Sequence, residues 1–390
     1  MSEKHYVYLD FAASAPLRPE ARDAWLAYHD EPYGMANPNS LHTLGREASA
    51  RLEAARRDLA RAICCGFRPS EIVLTSGGTE SNNLAILALA EGQRRRSRNT
   101  RTRVVLSAIE HDSVLDVASL LRGRGFEVEL ARPGRDGVVS ADEVRRAMGE
   151  SCALVSVMAA NNETGVVQPT TQIVAAAHEG GALAHVDAVQ AFGRVPLDAR
   201  DADAVSVAAH KIGGPLGMGA LAVRTRCPFE AQGLGGGQEG GRRPGTQDVA
   251  GAVAFAAAAT LVVRDLPSVR QAVAAMANRA YERLCAPGTG IVPTTVAHVD
   301  DTRLPGMLSL MVPGMDSESL VLKLDDLGFE VSAGSACSSG SLDPSHVLSA
   351  MGIARDEALG ALRVSFDERV KPEELDAFCD ALLSVVQARA

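Results

Sequence analysis

The chain has 390 residues, a formal net charge of -9, 46% hydrophobic residues and 22% charged residues. That length fits about two domains of ~150 residues, with enough apolar material for a large core, and the acidic balance argues against non-specific nucleic-acid binding and an anionic membrane surface as partners. No run reaches the ~18 uninterrupted apolar residues of a membrane span, and the opening Met-Ser-Glu-Lys-His lacks a signal-peptide core, so the cytoplasm is the expected location.

Short apolar, β-rich runs alternate with helical patterns along the first two thirds. Strands are expected at Glu71–Thr75, Arg103–Ser107, Ala153–Met158, Leu183–Val186, Ala204–Val207 and Gly219–Val223. Helices are expected between them at Ser81–Glu91, Ser113–Arg122, Ser140–Met148 and Thr171–His178. This alternation predicts βα units and a mostly parallel sheet with both faces covered by helices. An Ala-rich helix follows over Val249–Val263, and a second helix is expected after Pro267, to Leu284. The remainder mixes strands (Leu308–Met311, Gly328–Ser332, Leu362–Phe366) with helices at Ser317–Leu324 and Pro372–Val386. The expected fold class is α/β, with a large domain over residues 16–260. Residues 1–15 and 261–390 form a smaller α+β domain.

Of the basic residues only Lys4, Lys211, Lys323 and Lys371 are lysines. Lys4 is in the tail, Lys323 in a helix and Lys371 at a helix start, which suits solvated charges. Lys211 ends the Ala204 strand, after His210 and before Gly213-Gly214-Pro215. A lysine desolvated there loses proton affinity and becomes a nucleophilic amine, as a Schiff base requires. A surface lysine at a loop start is the alternative.

Asp187 closes the Leu183 strand, where side chains face the ligand crevice of an open α/β sheet, and Gln190 follows. Pyridoxal phosphate needs such a carboxylate against its pyridinium nitrogen, although a helix N-cap accounts for many aspartates so placed. The run Thr75-Ser76-Gly77-Gly78-Thr79-Glu80-Ser81 joins a strand to a helix, and its backbone N–H groups suit a phosphate; plain capping reads the same way. His111, just past the Arg103 strand, can stack on a cofactor ring or serve as a cap.

The seven cysteines are odd in number and scattered, with no C-x-x-C pair, and no H-E-x-x-H occurs, so neither a disulfide framework nor a zinc site is expected. Cys337 stands in the small-residue loop Ser332-Ala333-Gly334-Ser335-Ala336-Cys337-Ser338-Ser339-Gly340, a setting for a reactive thiolate. Cys64, Cys65, Cys152 and Cys379 read as core or helix residues; Cys227 and Cys285 lack polar company. Gly235–Gly240 fits G-x-G-x-x-G without a framing βαβ unit, and Asn162-Glu163-Thr164 fits a glycosylation sequon without a secretory signal.

Together these residues resemble the cysteine desulfurase family, in the class V branch of fold-type I pyridoxal-phosphate enzymes, and most of all its NifS/IscS-like branch. The resemblance runs through Tyr8-Leu9-Asp10-Phe11-Ala12-Ala13-Ser14, Asn37-Pro38-Asn39-Ser40-Leu41-His42 and Ser76-Gly77-Gly78-Thr79-Glu80-Ser81-Asn82-Asn83. It continues through Glu110-His111, Asn161-Asn162-Glu163-Thr164-Gly165, His185-Val186-Asp187-Ala188-Val189-Gln190 and Ala209-His210-Lys211. It closes with Arg243-Pro244-Gly245-Thr246, Gly334-Ser335-Ala336-Cys337 and Leu362-Arg363-Val364-Ser365.

The resemblance implies the following roles. Lys211 binds pyridoxal 5'-phosphate covalently and moves protons on the substrate. His111 stacks on the ring, Asp187 pairs with its nitrogen, Gln190 with its phenolic oxygen, and Asn162 sits at its edge and helps hold substrate. Gly78, Thr79 and His210 grip the phosphate, with Thr246 reaching in from the second subunit of a homodimer. Arg363 clamps the carboxylate of L-cysteine. Cys337, carried by the smaller domain, takes the sulfur as a persulfide, leaves L-alanine and delivers sulfur to an acceptor protein. A selenocysteine lyase, another class V enzyme or a non-catalytic sulfur-relay partner are the alternatives. Three positions depart from the pattern: Ala208 replaces a serine that donates to the phosphate, Leu216 a lysine, and Asp367 a glycine.

Overall fold

The computed structural model describes residues 6–63, 66–334 and 344–388. Its strands are β1 (Val7–Tyr8), β2 (Ile72–Thr75), β3 (Arg103–Ser107), β4 (Glu127–Ala131), β5 (Cys152–Met158), β6 (Leu183–Asp187), β7 (Ala204–Ala208), β8 (Gly219–Val223), β9 (Val292–Pro293), β10 (Met307–Met311), β11 (Phe329–Glu330) and β12 (Ala361–Ser365). β2 to β8 form one sheet in the order β2-β8-β7-β6-β5-β3-β4. β8 runs antiparallel to both its neighbours, and the others run parallel to one another.

Side chains alternate across this sheet and fill two apolar layers. Leu74, Val105, Val155, Val186 and Val205 face one core; Val73, Val104, Leu106, Leu154 and Leu221 face the other, against the helix Gly78–Arg96. A sheet buried on both faces explains the near-continuous apolar strands. A third core joins Val7, Leu9 and Phe11 to residues from Val273 to Leu382, over the sheet β12-β10-β9 and the pair β1-β11.

Three expectations change. The expected break at Pro267 is absent: Val249–Leu284 is one helix with Pro267 inside. Its first half buries Phe255, Ala258 and Ala259 in one core and its second half buries Val273, Tyr281 and Leu284 in another. Burying three such side chains stabilises by ~1.5–3 kcal/mol each, which outweighs a proline cost of ~3 kcal/mol. By length and composition this helix can cross a membrane, although no uninterrupted apolar run in it reaches ~18 residues; 56% of its most apolar window is buried in the protein. The helix expected over Ser113–Arg122 is two, Asp112–Leu115 and Val117–Gly123. The strand expected over Gly328–Ser332 shrinks to β11, which pairs with β1, while Ser332 makes only an isolated bridge to Arg363.

Candidate active site

Five parallel strands deliver their carboxyl ends to one crevice. β2 ends at Thr75 and β6 at Asp187, β7 leads into His210 and Lys211, β3 leads toward His111, and β5 leads toward Asn162. This edge is where open α/β sheets bind ligands. A cavity of ≈ 190 Å³ sits there, lined by Gly78, Thr79, Asn82, His111, Ser113, Met158, Ala160, Asn162, Asp187, Val189, Gln190, His210 and Lys211.

At one end, the helix Gly78–Arg96 begins after Gly77, whose φ of 153° favours glycine. A Cβ on Gly78 would come 2.8 Å from Val189 Cγ2, so a glycine here leaves room at this end. That helix start, with the Thr79 hydroxyl, is a cradle for an anion. Arg243 donates to Glu80 (2.9 Å), and Glu80 accepts from the Ser76 N–H (2.5 Å), which braces the turn. The Ala208 methyl lies 3.6 Å from that same Gly78 Cβ position, so it meets the cradle with carbon where a hydroxyl would donate.

On the floor, Asp187 accepts from Asn82 Nδ2 (2.7 Å) and the Val189 N–H (2.8 Å). Burial raises its pKa, and these bonds, with His111 and Lys211, pull it back. His111 caps the helix Asp112–Leu115, accepting from the Ser113 N–H at 3.0 Å. Asn82 Oδ1 and Asn162 Oδ1 are buried without a partner among the described residues. Two lone amide oxygens, an anion cradle and a buried carboxylate fit a ring that carries a phosphate and a basic nitrogen.

Lys211 lies in the turn Ala209–Ile212 and donates Nζ to Ala12 O (2.7 Å) and Ala13 O (2.9 Å). Its pKa falls to about 8, from burial first and then from Arg194 and Arg363, against Asp10 and Asp187. Burial and Lys211 push His210 down to about 4, so its ring is neutral at pH 7; its Nδ1 lies 3.3 Å from Ser14 Oγ. Lys323 and Lys371 are exposed, and Lys4 lies outside the described residues.

Arg363 in β12 is buried and donates to Asp10 Oδ1 (2.8 Å) and Asn162 O (3.0 Å), while its Nε has no partner among the described residues. Cys337 lies outside the described residues, as do Cys64 and Cys65. Thr246 is exposed and does not line the cavity. The glycine run Gly233–Gly241 carries Glu239, which pairs with Arg56 and accepts from the Leu74 N–H (2.7 Å); it holds an internal carboxylate.

Sequence reasoning missed Asn82, Ser113 and Arg194. Asn82 had a readable signal: it lies four residues after Gly78 on a helix, hence on the same face. Nothing marked Arg194, one arginine among many.

Behind the site, Glu110 is buried, with Ser107 Oγ (2.5 Å) and the Met158 N–H (2.7 Å) on Oε1 and no partner on Oε2 among the described residues. Burial pushes its pKa up to about 8. A raised carboxyl pKa contributes stability that is full below the unfolded value of 4.5 and lost as pH rises through about 8. Glu110→Gln cannot ionise, so its melting temperature is expected to gain on wild type between about pH 4.5 and about 8. Parallel melting curves for the two proteins across that window would contradict the buried neutral acid.

The aminotransferase class-V family model matches residues 7–378. The IscS-like cysteine desulfurase of Mycobacterium tuberculosis is 40% identical over 389 residues, covering 98% of this chain and 96% of that protein. A solved NifS-like protein superposes with a TM-score of 0.88 at 31% identity, covering 98% of this chain and 100% of that one. The structure of SspA in complex with cysteine gives 0.77 at 30% identity, covering 92% of this chain and 98% of that one.

Proposed function

The chain belongs to the aminotransferase class-V family, and from that premise we propose that it is a pyridoxal-phosphate-dependent cysteine desulfurase, converting L-cysteine to L-alanine with the sulfur passed to Cys337 as a persulfide. One observation carries the reading. A half-buried amine, Lys211, shares a cavity with a buried carboxylate and an anion cradle, and Arg363 stands beside it.

When bound, pyridoxal phosphate supplies an electron sink for charge left at the substrate α-carbon. Gly78, Thr79 and His210 hold the phosphate. Asp187, steered by Asn82, would keep a proton on the ring nitrogen, Gln190 would meet the phenolic oxygen, and His111 would cover the ring. Lys211 would hold the cofactor covalently, and its amine would move a proton at the substrate α-carbon. Arg363 grips the substrate carboxylate, with Asn162 beside it. The Cys337 thiolate attacks the substrate sulfur, the C–S bond breaks, and its electron pair stays on the β-carbon, which takes a proton to become the alanine methyl.

A homodimer and an acceptor protein complete the proposal. Trp25, Leu26, Leu17 and Leu216 are exposed around a cavity of ≈ 730 Å³, an apolar surface suited to a second copy. Thr246, exposed on its own chain, is then free to serve the partner's phosphate.

The deciding experiment mixes purified protein with L-cysteine and a reductant and measures alanine and sulfide. Equal amounts of both are expected, and with the reductant left out the labelled sulfur is expected on Cys337. Turnover of L-selenocysteine alone would overturn the assignment. Arg363→Lys keeps the charge but loses the two-pronged fork. At ~1.5–3 kcal/mol for a charge-assisted bond, its KM for L-cysteine is expected to rise ~10- to 100-fold; an unchanged KM would remove Arg363 from substrate binding.

A further inference from the structure

Arg194 has no part in the chemistry above, yet it touches two residues that do. It follows Gln190 by four positions and donates Nη1 to Gln190 Oε1 at 2.9 Å. Its Nη2 donates to Phe11 O at 3.0 Å and to the backbone carbonyl of Lys211 at 2.9 Å. We propose that Arg194 is a positioning residue that locks the amide orientation of Gln190 and sets the proton affinity of the Lys211 nitrogen, an inference that rests on the proposed cofactor.

The orientation follows from donor counting. A guanidinium has five N–H donors and no acceptor. The Gln190 atom facing it must therefore be the amide oxygen. That leaves the NH₂ end turned away, where one hydrogen goes to Ala12 O at 2.9 Å. The second hydrogen is left for the cavity that Gln190 lines, which is the polarity a phenolate oxygen needs. Ala12 O also accepts from Lys211 Nζ. Arg194, Gln190, Lys211 and residues 11–13 thus form one closed hydrogen-bonded ring.

The charge argument is separate. The bonds of Arg194 among the described residues go to neutral acceptors. Asp367, the carboxylate that acts most on it, is engaged by Arg369 (2.6 Å) and Arg18 (3.4 Å). A fixed positive charge beside an amine favours the neutral, nucleophilic form. The other charged groups facing Lys211 are Arg363, acting the same way, and Asp10 and Asp187, acting against; His210 is neutral at pH 7.

The test uses the full-length holoenzyme and two variants, Arg194→Met and Arg194→Lys. In each, the visible band of the lysine-linked cofactor is titrated with pH in the absence of substrate, and cofactor loss is followed by dialysis. Removing the charge in Arg194→Met is expected to move the titration midpoint up by about one unit, a tenfold change in proton affinity, and to speed cofactor loss. Arg194→Lys keeps a charge but not the fork, so its midpoint is expected to stay near wild type while cofactor loss still quickens. If Arg194→Met does not fold, the Lys variant decides: wild-type retention sinks the orientation claim, and a midpoint shifted up as far as one unit sinks the charge claim. Wild-type midpoint and retention in Arg194→Met overturn both. A wild-type protein that binds no pyridoxal phosphate overturns the functional proposal instead.

Discussion

Lys211→Ala is expected to abolish alanine formation, with a loss of at least ~10³-fold, because it removes the covalent attachment and the proton carrier together. No other described lysine can replace it: Lys323 and Lys371 are exposed and do not line the cavity. The fold is expected to survive. Ala12 O and Ala13 O each lose a donor, at ~1 kcal/mol per bond, and the protein is relieved of a half-buried amine whose pKa has already fallen to about 8. The visible band is expected to disappear, and the protein to lose cofactor on dialysis faster than wild type. The methyl of Ala208 makes that loss more pronounced, since the cradle has one donor fewer. Restoring a hydroxyl with Ala208→Ser in the Lys211→Ala background is expected to slow the loss. Visible absorbance at the wild-type level after dialysis of Lys211→Ala would show that Lys211 is not the attachment point.

The strands that place the site were readable because both faces of the sheet are buried. Arg103–Ser107 and Gly219–Val223 have the expected bounds, and Leu183–Val186 extends only to include Asp187. β4 was missed because it is an edge strand: Glu127 and Glu129 face solvent, and the run lacks the apolar continuity of its neighbours. The helices Pro19–Asp30 and Thr43–Ala62 went unassigned. In the site, Asp187, Lys211, His111, Asn162 and Thr79 each stand at or just past a strand end, so strand order alone implies their convergence. Asn82, Ser113 and Arg194 act through contacts distant in sequence, such as the bond from Arg194 to Phe11 O, and periodicity does not carry such contacts. Asp367 also reads differently in three dimensions. The sequence marks it only as a departure from the family pattern, and in the structure it pairs with Arg369 and Arg18 and bears on Arg194.

Cys337→Ser is expected to stop sulfur transfer while leaving cofactor binding and the spectral response to L-cysteine in place. The reaction needs a polarisable anion on the substrate sulfur, and a serine hydroxyl is not ionised at neutral pH. The other described cysteines offer no detour. Burial pushes the thiols of Cys152, Cys227 and Cys379 up to about 12 and that of Cys285 up to about 11. At pH 8 a thiol with a pKa near 12 is ionised to roughly one part in 10⁴, against roughly a quarter for an unperturbed thiol. Alanine formation in Cys337→Ser is therefore expected to fall by at least ~10³-fold. Cys64 and Cys65 are tested directly, because replacing both with serine is expected to leave turnover unchanged. The two arms separate the steps: a normal spectral response without alanine places the block at sulfur transfer, whereas loss of the spectral response would give Cys337 a role in binding. Alanine at the wild-type rate from Cys337→Ser would mean that the sulfur leaves by another route, and the persulfide proposal would fall with it.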